Sequence, residues 1–161
     1  MHNKCVFAGT FDPPTAGHEK VVSVCLKMFD EVVVAVMTNG GKTPLLTVEE
    51  RLALLKKLYA DERRVKVISF GGAAVDLLEK ENTVFYVRGV RNTVDFEYEN
   101  LDRFASKKLK KDMVTLYIPA EQEDLHVSST LVRNSVKFGK DFKSLVSAKI
   151  ADDLADILKN K

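Results

Sequence analysis

Five short apolar runs, at residues 5–8, 32–37, 65–70, 84–87 and 113–118, punctuate the chain. Each is rich in Val, Ile, Phe or Tyr, which suits strands buried on both faces of a sheet. The segments between them change to helical spacing. Val21, Val22, Cys25, Leu26 and Phe29 form one apolar stripe. Thr47-Val48-Glu49-Glu50 reads as a capping box that opens a second helix, with Leu52, Leu55, Leu58 and Tyr59 as its buried face. Val75, Leu77 and Leu78 mark a short third helix after Gly71-Gly72, and a fourth spans about 94–111. Two more are expected near 129–137 and 144–158. Strand and helix in alternation give an α/β fold: a Rossmann-like, doubly wound sheet of five parallel strands with helices on both faces. The length of 161 residues suits one domain over 1–161, with no repeat or linker to divide it. A chain of this size buries roughly 68–70% of its unfolded surface, enough for a core without staples.

Charge and cysteine usage narrow the function classes. Lys and Arg number 25 against 23 Asp and Glu, a net charge of +2. Such a balance creates no field that would draw the protein to nucleic acid or to an acidic membrane. No apolar stretch reaches the length of a membrane span. Cys5 and Cys25 are too few for a disulfide framework or a zinc set and sit in apolar surroundings, so they read as core residues. Together with an N-terminus that leads straight into a strand, this predicts a cytoplasmic protein.

In open parallel sheets, ligands bind beyond the carboxyl ends of the strands, where the strand order reverses. Four such ends carry phosphate-friendly residues. The first strand leads into Gly9-Thr10-Phe11-Asp12-Pro13-Pro14-Thr15-Ala16-Gly17-His18. Gly9 allows close backbone approach to a ligand, and His18 stands among the unpaired N–H groups of a helix start. The second leads into Thr38-Asn39-Gly40-Gly41-Lys42, a loop able to bring a cation to a ligand. Arg88-Gly89-Val90-Arg91 follows the fourth and offers two guanidinium forks for phosphate oxygens. After the fifth comes Val127-Ser128-Ser129-Thr130-Leu131-Val132-Arg133, whose hydroxyls suit either an N-cap or a phosphate seat. Neither GxxxxGK[ST] nor GxGxxG occurs, so the site is not of the P-loop or dinucleotide-dehydrogenase kind.

The Thr15–His18 T-x-G-H motif and the Ser128–Arg133 S-S-T-L-V-R motif resemble those of the nucleotidyltransferase superfamily. Arg88–Arg91, Asp95-Phe96-Glu97-Tyr98-Glu99 and Thr15 itself make the chain most similar to the bacterial phosphopantetheine adenylyltransferases. The resemblance implies transfer of the adenylyl group of ATP to 4′-phosphopantetheine, giving dephospho-coenzyme A and pyrophosphate. It implies Mg²⁺ carried mainly by the ATP phosphates, a homohexamer, and coenzyme A as a feedback ligand. It also implies roles. His18, Thr10, Lys42 and Arg91 would be catalytic. Thr10, Phe11, His18, Gly89, Val90, Arg91, Glu99, Val127, Ser128, Ser129 and Thr130 would surround ATP. Thr10, Lys42, Ala74 and Arg88 would hold the acceptor. Ala74, Asp102, Ser106 and Asn134 depart from the family pattern at positions expected near the pantetheine arm. A sister enzyme acting on glycerol 3-phosphate or nicotinate mononucleotide is the rival reading, and a non-catalytic nucleotide sensor a more distant one.

Overall fold

The computed structural model describes residues 2–38 and 43–161. Lys42 and Asn39, named above, lie outside the described residues. Five strands, β1 (Lys4–Gly9), β2 (Glu31–Met37), β3 (Val65–Phe70), β4 (Phe85–Val90) and β5 (Val114–Pro119), form one parallel sheet in the order β3-β2-β1-β4-β5. The helices are α1 (Ala16–Cys25), α2 (Val48–Leu58), α3 (Ala74–Lys80), α4 (Thr93–Leu109), α5 (Ser129–Lys137) and α6 (Ala151–Lys159). The chain runs outward from β1 to β3, then crosses to β4 on the other side of β1. The order therefore reverses between β1 and β4, at the centre of the sheet.

The two-residue period of the strands divides the core. Cys5, Phe7, Val32, Val34, Val36 and Val87 point to one side, where they meet α1, α2, α5 and α6. Val6, Ala8, Val33, Ala35 and Tyr86 point to the other, where α3 supplies Val75, Leu77 and Leu78. Both cysteines are fully buried and unpaired in any disulfide, as expected of core residues.

The helix starts follow the sequence closely. Thr47 accepts from Glu50 N (3.1 Å), and Glu50 Oε2 accepts from Thr47 N (2.8 Å), closing the expected capping box. The buried face of α2 is Arg51, Leu54, Leu55 and Leu58; Leu52 and Tyr59 are only partly buried. Three further boundaries differ from expectation. Arg88, Gly89 and Val90 belong to β4 and do not follow it, because β5 keeps pairing with them as far as Val90↔Pro119. The fourth helix stops at Leu109, where Lys110 turns extended. The helix expected over 144–158 splits into a 3₁₀ turn, Lys143–Leu145, and α6. The Ser147 carbonyl accepts from both Ile150 N and Ala151 N, and this turn, with the buried Leu145, Val146 and Ile150, redirects the chain.

Candidate active site

Pairing between β1 and β4 ends at Phe7↔Val87, while β1 continues along β2 to Gly9↔Val36. The two central strands thus part at their carboxyl ends, and a cavity of about 630 Å³ opens there. Its volume lies within the range typical of small-molecule sites. The freed Ala8 carbonyl accepts from Arg88 Nη1 (2.7 Å), so Arg88 bridges the gap that the ladder leaves. Arg88 Nη2 pairs with Glu99 on α4 (2.5 Å), and Nη1 also reaches the Tyr86 hydroxyl (3.4 Å). Gly89 lets α1 lie close: a Cβ there would stand 3.0 Å from Val21 Cγ2.

His18 is held by the start of its own helix. Thr15 caps α1, its Oγ1 accepting from His18 N (3.3 Å), while Thr15 N donates to His18 Nδ1 (3.0 Å). This is a capping box with an imidazole in place of the usual carboxylate. Because Nδ1 accepts, the neutral ring carries its proton on Nε2, the nitrogen left for the cavity. Burial, and then the charges of Arg88 and Arg91, lower the His18 pKa from its usual 6.5 to about 4. At neutral pH the ring is therefore an uncharged Nε2–H donor.

That shift has a consequence for stability. The unfolded chain binds a proton at His18 near pH 6.5 and the folded one only near 4. The contribution is fully present above pH 6.5 and is lost as pH falls through this window. Urea unfolding between pH 7 and 4.5 should show a steeper stability loss for the wild type than for His18→Gln; equal slopes would contradict the shift.

The loop between Gly9 and Thr15 is bolted down on several sides. The Asp12 carboxylate is buried and accepts from Leu45 N (2.9 Å) and Leu46 N (2.8 Å). Buried Arg51 donates from Nη1 to the Thr10 carbonyl (2.9 Å) and from Nε to the Thr47 carbonyl (3.2 Å). Ser129 Oγ donates to the Pro13 carbonyl (2.8 Å), and Arg133 Nη1 to the Asp12 carbonyl (2.7 Å). Asp12 stands in the Gly9–His18 string and Arg51 in a Glu49-Glu50-Arg51 triplet that matches the family, but the sequence assigns neither a role, since both act on backbone groups; Arg51 lies one turn before Leu54 and Leu55 on the buried face of α2.

The expected site residues largely converge. Thr10, Phe11, His18, Arg88, Gly89, Val90, Arg91, Glu99, Val127, Ser128, Ser129 and Thr130 all line the cavity. Arg91 pairs with Asp95 through Nε (3.0 Å), and Ser128 Oγ caps α5 by accepting from Leu131 N (3.1 Å). Ser129 spends its hydroxyl proton on the Pro13 carbonyl, whereas Ser128 and Thr130 only accept, so the α5 start offers their O–H groups as well as its backbone N–H groups. Ala74 is not among the lining residues; it opens α3 and packs on the core cluster that also holds the cavity residues Ala8 and Met37. Asp102 and Asn134 are exposed, and neither they nor Ser106 reach the cavity. Among the described residues, no group of three His, Cys, Asp or Glu side chains could cage a metal ion. Of the carboxylates lining the cavity, Asp95, Glu99 and Asp124 are paired with Arg91, Arg88 and Lys20, while Asp12 accepts from backbone N–H groups and Glu121 is exposed.

A reversal-point cavity lined by an uncharged histidine donor, arginines and a helix start suits phosphate chemistry. Residues 6–135 match the Cytidylyltransferase-like family, and the chain belongs to that class of nucleotidyltransferase fold. A solved structure from Vibrio parahaemolyticus, provisionally assigned as a nicotinate-nucleotide adenylyltransferase, has the same fold. Its TM-score is 0.71 at 21% identity, over 96% of this chain and 99% of that one. Curated relatives place the chain more finely. The phosphopantetheine adenylyltransferase of Campylobacter fetus is 37% identical over 96% of this chain and 97% of its own length. That of Dictyoglomus turgidum is 37% identical over 98% and 99%, and that of Nautilia profundicola 34% over 96% and 100%. Within its class, the chain belongs to the phosphopantetheine adenylyltransferase family.

Proposed function

We propose that the protein transfers the adenylyl group of ATP to 4′-phosphopantetheine, releasing pyrophosphate and forming dephospho-coenzyme A. The observation that carries this reading is His18, locked as an Nε2–H donor beside Arg88 and Arg91 where β1 and β4 part. A phosphate monoester has a second pKa near 6, so the acceptor is largely dianionic at neutral pH and needs no general base. One acceptor oxygen forms a bond to the ATP α-phosphorus, and the bond from that phosphorus to the β-bridging oxygen breaks. The electron pair leaves with pyrophosphate.

The chain's task is to bring two anions together and to stabilise charge on the α-phosphate. Arg88, with Lys42, would position the acceptor phosphate. His18 Nε2–H and the Thr10 hydroxyl would donate to α-phosphate oxygens as charge builds. Arg91 and the α5 start would hold the departing phosphates. Mg²⁺ is expected to arrive on the ATP phosphates and neutralise their charge, with few direct protein ligands. Coenzyme A combines parts of both substrates and would compete for the same cavity.

The homohexamer implied by the family resemblance finds support in α4. Val94, Tyr98, Leu101 and Leu109 are each 70–76% exposed there, an apolar row awaiting cover. Analytical ultracentrifugation of the wild type and Leu101→Glu tests this; the variant should dissociate.

Pyrophosphate release tests the reaction. Wild-type protein with ATP and Mg²⁺ should release pyrophosphate only when 4′-phosphopantetheine is added. Release with glycerol 3-phosphate or nicotinate mononucleotide instead would reassign the acceptor, and no release with any acceptor would refute catalysis.

A further inference from the structure

Phe11 has φ of +51°, a left-handed conformation that a bulky side chain enters only at a cost. Its ring is buried and lies 4.7 Å from the His18 imidazole, with Phe7 closing the stack 5.4 Å behind. The backbone on either side of Phe11 is gripped. Arg51 holds the carbonyl before it, at Thr10. On the far side, Arg133 Nη1 holds the Asp12 carbonyl, and the Asp12 carboxylate is fixed by two N–H groups at the entrance to α2.

These grips use two buried charges of opposite sign, and each spends itself on backbone groups. A buried guanidinium is expensive to desolvate, and an apolar side chain of equal volume would serve packing better. What the two charges achieve together is direction. Arg51 pulls the Thr10 carbonyl towards α2, and Asp12 takes N–H groups from the same segment. The loop and the start of α2 are thereby tied both ways across 33–41 residues of chain. With both ends of the Phe11 backbone held, its strained φ persists and its ring becomes a wall for the imidazole.

We infer that Asp12 and Arg51 are positioning residues, which act through the Phe11 ring to hold His18 in register for adenylyl transfer. Arg51 does not line the cavity, and the Asp12 carboxylate, which does, is spent on the Leu45 and Leu46 N–H groups. The inference rests on the adenylyl-transfer reading above.

The test compares wild type, Asp12→Asn and Arg51→Lys, which keep volume but disrupt the bonding. An asparagine amide cannot accept two N–H bonds in that geometry, and a lysine lacks the fork that reaches both carbonyls. Circular dichroism checks folding, steady-state kinetics gives kcat and the KM for each substrate, and ¹⁵N shifts report the His18 tautomer. Misplacement of a reacting group by about 1 Å can cost on the order of 10²-fold. We expect each folded variant to lose 10- to 100-fold in kcat, with the ATP KM within threefold and His18 no longer confined to the Nε2–H tautomer. Folded variants with near-normal kcat and an unchanged tautomer would overturn the inference. So would loss of the folded state in both, which would assign the pair to stability alone. Absence of turnover in the wild type would instead refute the reading beneath it.

Discussion

Replacing His18 with alanine is expected to lower kcat by about 10²- to 10³-fold while the ATP dissociation constant changes only a few-fold. The magnitude is that of losing one prearranged donor to a developing oxyanion. The asymmetry between kcat and binding follows from where the donor acts. An uncharged Nε2–H would gain little from ground-state ATP if, as proposed, arginines and helix N–H groups already meet its phosphates. It gains more as negative charge accumulates on the α-phosphate oxygens during transfer. His18→Ala also opens the capping box with Thr15, so α1 should lose roughly 1 kcal/mol of support. Kinetics should therefore be measured well below the melting temperature, with folding verified. Single-turnover adenylyl transfer isolates the chemical step; near-normal rates there would remove His18 from the mechanism.

The second large effect is expected at Arg88. Arg88→Met should raise the acceptor KM by about 10- to 100-fold, the scale of losing hydrogen bonds from a charged group. It should also destabilise the protein, for a reason separate from binding. The Glu99 side chain is only 12% exposed and has Arg88 as its ion-pair partner, while the Ala8 carbonyl depends on Arg88 to replace its lost ladder bond. Stranding a largely buried carboxylate costs about 3 kcal/mol. Arg88→Met/Glu99→Gln separates the two losses. Removing the orphaned charge should restore most of the stability, measured by urea unfolding, and should leave the acceptor KM high. Recovery of both together would mean that Arg88 serves the fold alone.

Glu99 also illustrates how a residue's place can differ from its expected use. Similarity assigns it to ATP, whereas its oxygen here neutralises Arg88 (2.5 Å). The two roles would be compatible in sequence along the proposed reaction, since an incoming phosphate dianion would compete with Glu99 for the guanidinium. Ala74 is different. It opens α3 and is not among the residues lining the cavity, although it packs on the same core cluster as the cavity residues Ala8 and Met37.

Much of this architecture is legible because its causes are local. Val-rich runs form strands wherever both faces are covered, and Thr47 with Glu50 closes a capping box within four residues. Thr15 and His18 do the same, so the spacing of that motif contains the histidine's tautomer. The less legible parts have distant causes. Arg88 lies within β4 because β5 continues alongside it. The break at residues 146–150 arises where buried Val146 and Ile150 find the core, which an apolar period along the chain does not reveal.

The strongest contrast lies in the loop that seats His18. Residues 9–18 read as a tight turn into a capped helix start, and as a whole string they match the family motif. Nothing within those ten residues says what holds Phe11 in its left-handed conformation. That falls to Arg51 and to the N–H groups of Leu45 and Leu46, brought within 3 Å by the packing of α2 beside the central strands. Short-range patterns suffice for elements and caps, whose hydrogen bonds close within a turn. The active-site geometry comes from bonds between backbone groups and buried charges more than thirty residues apart, and those partners meet only after the sheet has assembled.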